Sequence, residues 1–297
     1  MSTATYSPLR YPGGKGKLKK YVEQLIRIKK LNNSTYIEPF CGGAEVGIYL
    51  LINKMVKNII INDYDRSVFA LWNSIVNNTD ELCKLIEKTS INITEWHKQK
   101  KVQQNKSTED LLTLGFSTLF LNRTNISGII KAGVIGGLNQ NGTYKMDCRF
   151  NKKKIIDKIR LIANFKEKIK IYNFDTEYLI DNVIKNLKHK SFIFFDPPYY
   201  KKGSSLYTNF YKPDDHLSLA NKIKNIKKHS WILTYDNTEE IKKLYKGFKS
   251  QIYRLNYSAK NKYKGEEVII YSRSISNKMP FKDISIYNIN KSIDRIK

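Results

Sequence analysis

Phe192-Ile193-Phe194-Phe195-Asp196-Pro197-Pro198-Tyr199 sets a run of bulky apolar residues against an acid, two prolines and an aromatic ring. A short run of this kind reads as a buried strand, and the prolines, which lack an N–H and fix φ, end it there. The last backbone carbonyls then face a turn that offers them no competing donors. A carboxylate and a free carbonyl can accept both hydrogens of an exocyclic –NH2 group, and Tyr199 adds a flat surface for a planar base. Held that way, the amine lone pair is freed from the ring and can be aimed at an electrophile. Taken alone, the same residues also fit an ordinary strand and proline turn.

A second constellation lies upstream, in Tyr36-Ile37-Glu38-Pro39-Phe40-Cys41-Gly42-Gly43-Ala44-Glu45 and Ile59-Ile60-Ile61-Asn62-Asp63. Two short β-branched runs each close on an acid. The first continues through a Gly-Gly turn into an amphipathic segment (Val46, Ile48, Tyr49, Leu50, Ile52), the pattern of strand, tight loop and helix. Glycines let backbone approach a ligand closely, and a carboxylate about twenty residues on, at the next strand end, suits a ribose diol. The chain has neither the G-x-G-x-x-G spacing of a dinucleotide fold nor a G-K-[ST] phosphate loop, so a cofactor without a pyrophosphate fits better.

With Arg10-Tyr11-Pro12-Gly13-Gly14-Lys15, these stretches resemble the Dam-like family of DNA adenine-N6 methyltransferases, in which cofactor motifs precede the recognition region and D-P-P-Y follows it. The resemblance spans nearly the whole chain. It implies an α/β fold: a doubly wound, Rossmann-like class I methyltransferase sheet with an inserted, mainly helical DNA-recognition lobe. Residues 1–79 and 161–297 would form the catalytic domain and residues 80–160 the insertion. The implied cofactor is S-adenosylmethionine. Tyr11, Pro12, Gly13 and Lys15 match the family's [WY]-x-G-G-K contacts; Glu38, Pro39, Phe40, Cys41, Gly42 and Gly43 match its E-P-F-x-G loop; Asp63 matches its ribose-side acid. Phe174 and Asp175, after Ile169-Lys170-Ile171-Tyr172, sit where the family places contacts to the cofactor's adenine. Asp196, Pro197, Pro198 and Tyr199 match the catalytic tetrapeptide. One departure is Ala44-Glu45, where the family usually carries a small residue or a glycine pair, at the methionine end of the pocket.

The loop Leu121-Asn122-Arg123-Thr124-Asn125-Ile126-Ser127-Gly128-Ile129-Ile130-Lys131 mixes apolar wedges with cations, and Gly142 to Lys152 adds Tyr144, Lys145, Arg149 and Phe150. Long glycine-containing loops in compact proteins are commonly functional; an ordinary connection is the plain alternative. By the resemblance, L-N-R is followed by a wedge that enters the duplex near a flipped base and then by a basic residue that can read guanine. Asn125 lies in this loop, Arg123 would hold phosphate, and Ile126 and Ile129 fall at the wedge positions. Ser127 replaces the more usual Asn. Lys131 stands where an Arg often makes a bidentate contact with guanine, a planar fork that lysine cannot form. A target other than GATC is therefore expected, with Arg149 as an alternative base reader. The implied chemistry stacks an extruded adenine on Tyr199, with N6 held by Asp196 and the Pro197 carbonyl below a methyl donor on the Gly42-Gly43 loop.

Lys and Arg total 53 against 27 acids, a formal charge of +26, which attracts phosphate by counterion release. An AT-biased genome would leave a similar excess of Lys, Asn and Ile. The 297 residues, 41% hydrophobic, suffice for one α/β core with a helical insertion. No run approaches the ~20 apolar residues of a membrane span. Cys41, Cys83 and Cys148 are far apart, and His97, His189, His216 and His229 are scattered, so neither a disulfide framework nor a metal is expected, in a reducing cytoplasm.

Helical spacing appears in Lys17 to Lys30, 66–77, Leu82 to Lys88, Glu95 to Gln104 and Leu111 to Leu121, with Trp72 expected in the core. Strand-like runs return at Ser191 to Phe195, Trp231 to Tyr235, Gln251 to Leu255 and Val268 to Ser272. Residues 256–265 read as a basic, aromatic hairpin before the last strand, and the tail after Phe281 carries no motif. Double-stranded DNA is the expected partner, a cognate restriction endonuclease a second, and a monomer the expected state. Amine methylation of cytosine N4, of RNA adenine or of a protein glutamine stands as an alternative. A DNA-binding module that kept the fold and lost the chemistry is the rival from another class.

Overall fold

Apolar residues of the central strands alternate between two cores. Tyr36, Ile59, Ile61, Phe192, Phe194 and Ile232 join one hydrophobic cluster, while Ile37, Ile60, Ile193, Trp231 and Leu233 join another. A two-residue period with both sets buried requires a sheet covered on both faces, which is why these strands read as continuous apolar runs. The computed structural model describes residues 5–10, 15–200, 211–257 and 263–276.

The sheet has seven strands: β1 (Thr35–Glu38), β2 (Asn58–Asn62), β3 (Ile169–Tyr172), β4 (Phe192–Phe195), β5 (Ser230–Asp236), β6 (Ser250–Tyr257) and β7 (Tyr263–Tyr271), in the order β3-β2-β1-β4-β5-β7-β6. β1 to β5 are parallel, and β7 runs antiparallel between β5 and β6. The order reverses direction between β1 and β4, which pair through Tyr36–Phe192 and Ile37–Ile193. In an open sheet of this kind the crevice outside the carboxyl ends at such a switch point is the ligand site. This is the doubly wound α/β class expected from the sequence.

One face carries α1 (Lys19–Ile28), α2 (Glu45–Ile52), α3 (Arg66–Asn77), α4 (Thr79–Lys88), α5 (Ile93–Gln104), α6 (Leu111–Thr124) and α7 (Lys152–Ala163). The other carries α8 (Thr176–Leu179), α9 (Pro213–Lys224) and α10 (Glu239–Leu244). Side-chain caps fix several starts: Asp65 accepts from Ser67 N, Asn92 from Glu95 N, Asp110 from Leu112 N and Thr113 N, and Asn151 from Lys154 N. The segment expected to be helical from Lys17 opens as a 3-10 turn, Lys15–Leu18, before α1. The sequence reading passed over α7; its Ile155, Ile159 and Ile162 are buried on one face behind a Lys152-Lys153-Lys154 start.

Helices α4 to α7 share one hydrophobic cluster with α1 to α3: Leu82, Phe116, Leu119, Phe120, Ile155 and Ile159 join Leu50, Leu71, Trp72 and Ile75. The closest seam is α3 on α6. Gly115 in α6 faces Ala70 and Ser74 so tightly that a Cβ there would stand 2.7 Å from the Ala70 carbonyl oxygen and 2.5 Å from Ser74 Oγ. Helix propensity alone makes Gly115→Ala stabilising by about 1 kcal/mol. Overpacking against backbone is expected to win instead, with a net loss of roughly 1–3 kcal/mol read as a lower urea midpoint at unchanged slope; a raised midpoint would contradict the seam.

Candidate active site

The tetrapeptide follows β4 and is held from three directions. Thr234 on β5 donates to Asp196 Oδ1 at 2.5 Å, and the Lys15 ammonium lies 3.2 Å from the same oxygen. The Tyr199 hydroxyl donates to Glu267 Oε1 at 2.5 Å and receives the Lys15 ammonium at 3.1 Å. Beyond it, Tyr200 N donates to Asp236 Oδ1 at 2.9 Å. Asp196 Oδ2 has no hydrogen-bond partner among the described residues, and the side chain keeps 23% of its exposure. One carboxylate oxygen is thus anchored and the other is not.

Burial raises the Asp196 carboxyl above the usual carboxylate range, Lys15 pulls it down and Glu267 pushes it up. Lys15 is held well above its ordinary value: burial opposes its charge, and Asp196 and Glu267 more than offset it. The resemblance assigned Lys15 to the cofactor; its ammonium is engaged with Asp196, Glu267 and Tyr199. Tyr11, Pro12 and Gly13, assigned with it, lie outside the described residues.

At the end of β1, Glu38 is buried, and its Oε1 accepts from the Tyr36 hydroxyl at 2.8 Å and from Gly47 N at 2.9 Å. Burial nevertheless pushes its carboxyl up to about 8, with Asp196 and Glu45 adding to the rise. The Pro39-to-Gly43 loop follows. Gly42 takes a φ of 43°, and its N–H donates to Asp63 Oδ2 at 2.9 Å. Its carbonyl accepts from the Trp72 indole at 2.8 Å, so the core tryptophan also supports the loop from beneath. Burial pushes Asp63 up to about 7, helped by Asp65, against the Gly42 and Asp65 amides. Cys41 is buried, and its thiol is raised well above the ordinary range by burial and then by Asp63 and Glu38.

The departure at Ala44-Glu45 has a structural reason. Ala44 adopts the left-handed conformation, φ 44°, which a glycine would take more easily. Glu45 turns toward the N-terminal segment, where Oε2 accepts from Tyr6 N at 2.9 Å and Ser7 N at 2.8 Å and Oε1 from the Lys19 ammonium at 2.9 Å.

Beside Asp63, Asn62 clamps the far side of the crevice: Nδ2 donates to the Pro39 and Phe174 carbonyls, and Oδ1 accepts from Phe174 N. Phe174 stacks on Tyr172 at 5.1 Å between centroids and meets Tyr178 edge-on at 4.9 Å. Asp175 caps α8, accepting from Glu177 N at 2.8 Å. Glu38, Asp63 and Asp196 thus surround one crevice at the carboxyl ends of adjacent strands, all lifted by burial. Neither Glu38 nor Asp63 forms an ion pair among the described residues. Buried carboxylates, an aromatic slab and a left-handed glycine loop suit a nucleoside that carries positive charge, as a sulfonium amino acid does.

In the loop from Leu121 to Lys131 and at Arg149, the residues expected to meet DNA divide into two groups. Asn125 is buried; its Oδ1 accepts from Trp96 Nε1 at 2.7 Å, and its Nδ2 donates to the Ile129 and Ile130 carbonyls. Arg123 donates to the carbonyls of Pro8 and, at 3.4 Å, Arg149, and burial and then Arg10 lower its pKa to about 10. These two side chains brace the loop. Ile126, Ser127, Lys131 and Arg149 are exposed and Ile129 half-buried, with Ser127 in the left-handed conformation, φ 56°. Leu138 and Tyr144, later in the chain, are 56% and 65% exposed. Sequence reading missed Leu138, Thr234 and Glu267. An apolar residue in a polar glycine-rich loop was the available signal for Leu138; Thr234 and Glu267 carried none.

The profile of D12 class N6 adenine-specific DNA methyltransferases matches residues 11–260. The Type II methyltransferase M.MjaIII of Methanocaldococcus jannaschii is 27% identical over 261 residues, covering 81% of this chain and 88% of that protein. The Type II methyltransferase M.CviBI of Paramecium bursaria Chlorella virus NC1A is 24% identical over 263 residues, covering 85% and 91%. The modification methylase StsI of Streptococcus sanguinis is 26% identical over 211 residues, 67% of this chain but 29% of that longer protein. The chain belongs to the D12 class of N6 adenine-specific DNA methyltransferases, enzymes that draw the methyl group from S-adenosylmethionine.

Proposed function

We propose that the enzyme works on duplex DNA by swinging one adenine out of the stack and laying it on Tyr199, with its N6 hydrogens on Asp196 Oδ2 and the Pro197 carbonyl. The observation that carries this reading is the asymmetry of Asp196, whose Oδ1 is anchored by Thr234 and Lys15 while Oδ2 has no partner among the described residues. Such preorganisation removes the cost of orienting the amine at the moment of reaction. S-adenosylmethionine, when bound, supplies an electrophilic sulfonium methyl. The Phe40-to-Gly43 loop would hold it, with Asp63 taking the ribose, Phe174 the adenine ring, and Glu38 contributing negative potential under the loop. Asp196 then accepts hydrogen bonds from N6 and steers its lone pair; no covalent nucleophile is needed.

Extruding a base costs a few kcal/mol, and the exposed Ile126, Leu138 and Tyr144 supply apolar surface to fill the gap. Lys131 and Arg149 are the cations that read bases or grip phosphate, while Arg123 and Asn125 act by bracing the loop. Residues 80–160 serve as the recognition insertion on a catalytic domain made of 1–79 and 161–297. Both halves of the crevice come from one chain, which supports a monomer. The relatives' names, Type II methyltransferase and modification methylase, support a cognate restriction endonuclease beside it, in the cytoplasm.

Asp196→Ala should lower methyl incorporation into plasmid DNA by about a hundredfold to a thousandfold with DNA affinity within threefold; near-normal N6-methyladenine in the digested product would contradict the assignment. A pH dependence follows from Glu38 at about 8 and Asp63 at about 7. Because both are raised on folding, their contribution to stability is present at low pH and lost as pH rises through these values. The cofactor-free protein should therefore melt progressively lower from about pH 5 to about pH 8. Affinity for the cationic cofactor should rise over the same window as the carboxylates ionise, and Asp63→Asn should flatten the lower part of that rise in calorimetric titrations. Equal pH profiles for the two proteins would contradict the role of Asp63.

A further inference from the structure

We propose that Glu267 is a positioning residue for methyl transfer: it holds Lys15 and the Tyr199 ring in place, and its charge keeps the Lys15–Asp196 pair from forming a neutral unit beside the reacting amine. The inference rests on the role of Asp196 given above.

The antiparallel strand makes the placement possible. β7 begins at the carboxyl edge of the sheet, so Glu267 pairs with Asp236 at the end of β5 and with Tyr253 on β6. A parallel strand in that slot would carry its early residues to the opposite edge. Glu267 is only 2% exposed, a position that demands compensation for a carboxylate. It has that from the Lys15 ammonium at 3.2 Å, the Tyr199 hydroxyl at 2.5 Å and the Tyr253 hydroxyl. The Lys15 ammonium also sits 5.1 Å from the centre of the Tyr199 ring, so the orientation of the aromatic surface and of the cation depend on the same carboxylate.

The Lys15 ammonium is shared by two acids, Asp196 and Glu267. As the amine is methylated, the bond formed joins N6 to the methyl carbon, the bond broken is that carbon's link to sulfur, and N6 sheds one proton. Asp196 Oδ2 is the base in reach of that proton. With Glu267 ionised, the Lys15, Asp196 and Glu267 group passes from one net negative charge to neutral when Asp196 takes the proton. Without Glu267 it would pass from neutral to one buried positive charge, against a reaction that is already moving positive charge onto N6. Among the described residues, the other groups around Asp196 do not replace Glu267. Thr234 is neutral; Tyr36, Tyr199, Tyr235 and Tyr253 are phenols; Glu38 acts from β1 and is itself pushed up by burial.

The test is Glu267→Gln, assayed by methyl incorporation into unmodified plasmid DNA across pH, with the Asp196 carboxyl followed by ¹³C NMR in cofactor-free protein. Expected are a fall in kcat of roughly tenfold to a hundredfold, as for partners one contact removed from the reacting atoms, and Kd values for DNA and cofactor within threefold. The acid limb of kcat and the Asp196 titration should both move to lower pH, because the carboxylate that raised Asp196 is gone. An unmoved Asp196 titration, or kcat within twofold of the parent, overturns the proposal. If the Gln variant fails to fold, Glu267→Asp carries the test: with charge kept, Asp196 should titrate as in the parent while kcat falls, and a displaced titration overturns it. Asp196→Ala is run alongside. Transfer retained in that variant overturns the reading of the tetrapeptide, whereas transfer lost there with Glu267→Gln unaffected overturns this inference alone.

Discussion

The reversal of strand order between β1 and β4 constrains everything else in this molecule. Because these neighbours feed their following loops to opposite sides, a crevice opens at their carboxyl ends, and adjacent strands lie only about 4.8 Å apart. The Gly42-Gly43 loop leaves one lip and Asp196-Pro197-Pro198-Tyr199 the other. In the reading proposed above, a group bound on the first lip would meet a base bound on the second. The electrostatic reach of Asp196 to Glu38 expresses the same proximity.

The acids gathered there are costly to the protein on its own. Burial lifts Glu38, Asp63 and Asp196 together, and of the three Asp196 alone forms an ion pair among the described residues. A positively charged guest would offset part of that desolvation. The division of labour is also visible in the hydrogen bonds. Asp63 is tied to the backbone of the cofactor loop, whereas Asp196 is tied to Lys15 and Thr234 and through them to the antiparallel hairpin. The Pro39-to-Gly43 loop and the tetrapeptide are thus braced from different strands of the sheet.

Much of this was legible in the residues. Ile59 to Ile61 and Phe192 to Phe195 announced buried strands, and acids at their ends marked the catalytic edge, because a strand's last residue and its following turn are neighbours in sequence as well as in space. Contacts made across the sheet left no such trace. Glu267 reaches Lys15 only because β7 returns antiparallel to the same edge, and no local pattern records that return. Arg123 and Asn125 looked like DNA contacts in a basic loop, yet Pro8 and Trp96, remote in sequence, engage them. Helix α7 was hidden by its lysine-rich start, although Ile155, Ile159 and Ile162 keep the helical spacing.

The central claim is that cofactor and target base share one crevice within a methyl's length of each other. It is tested most directly by a crystal structure of the enzyme with sinefungin, whose amine replaces the transferable methyl, and a duplex carrying the mapped target adenine. The account predicts an extruded adenine on Tyr199, its N6 on Asp196 Oδ2 and the sinefungin amine about 3–3.5 Å from N6. An adenine bound away from Asp196, or a cofactor analogue opening onto another side of the sheet, would contradict it.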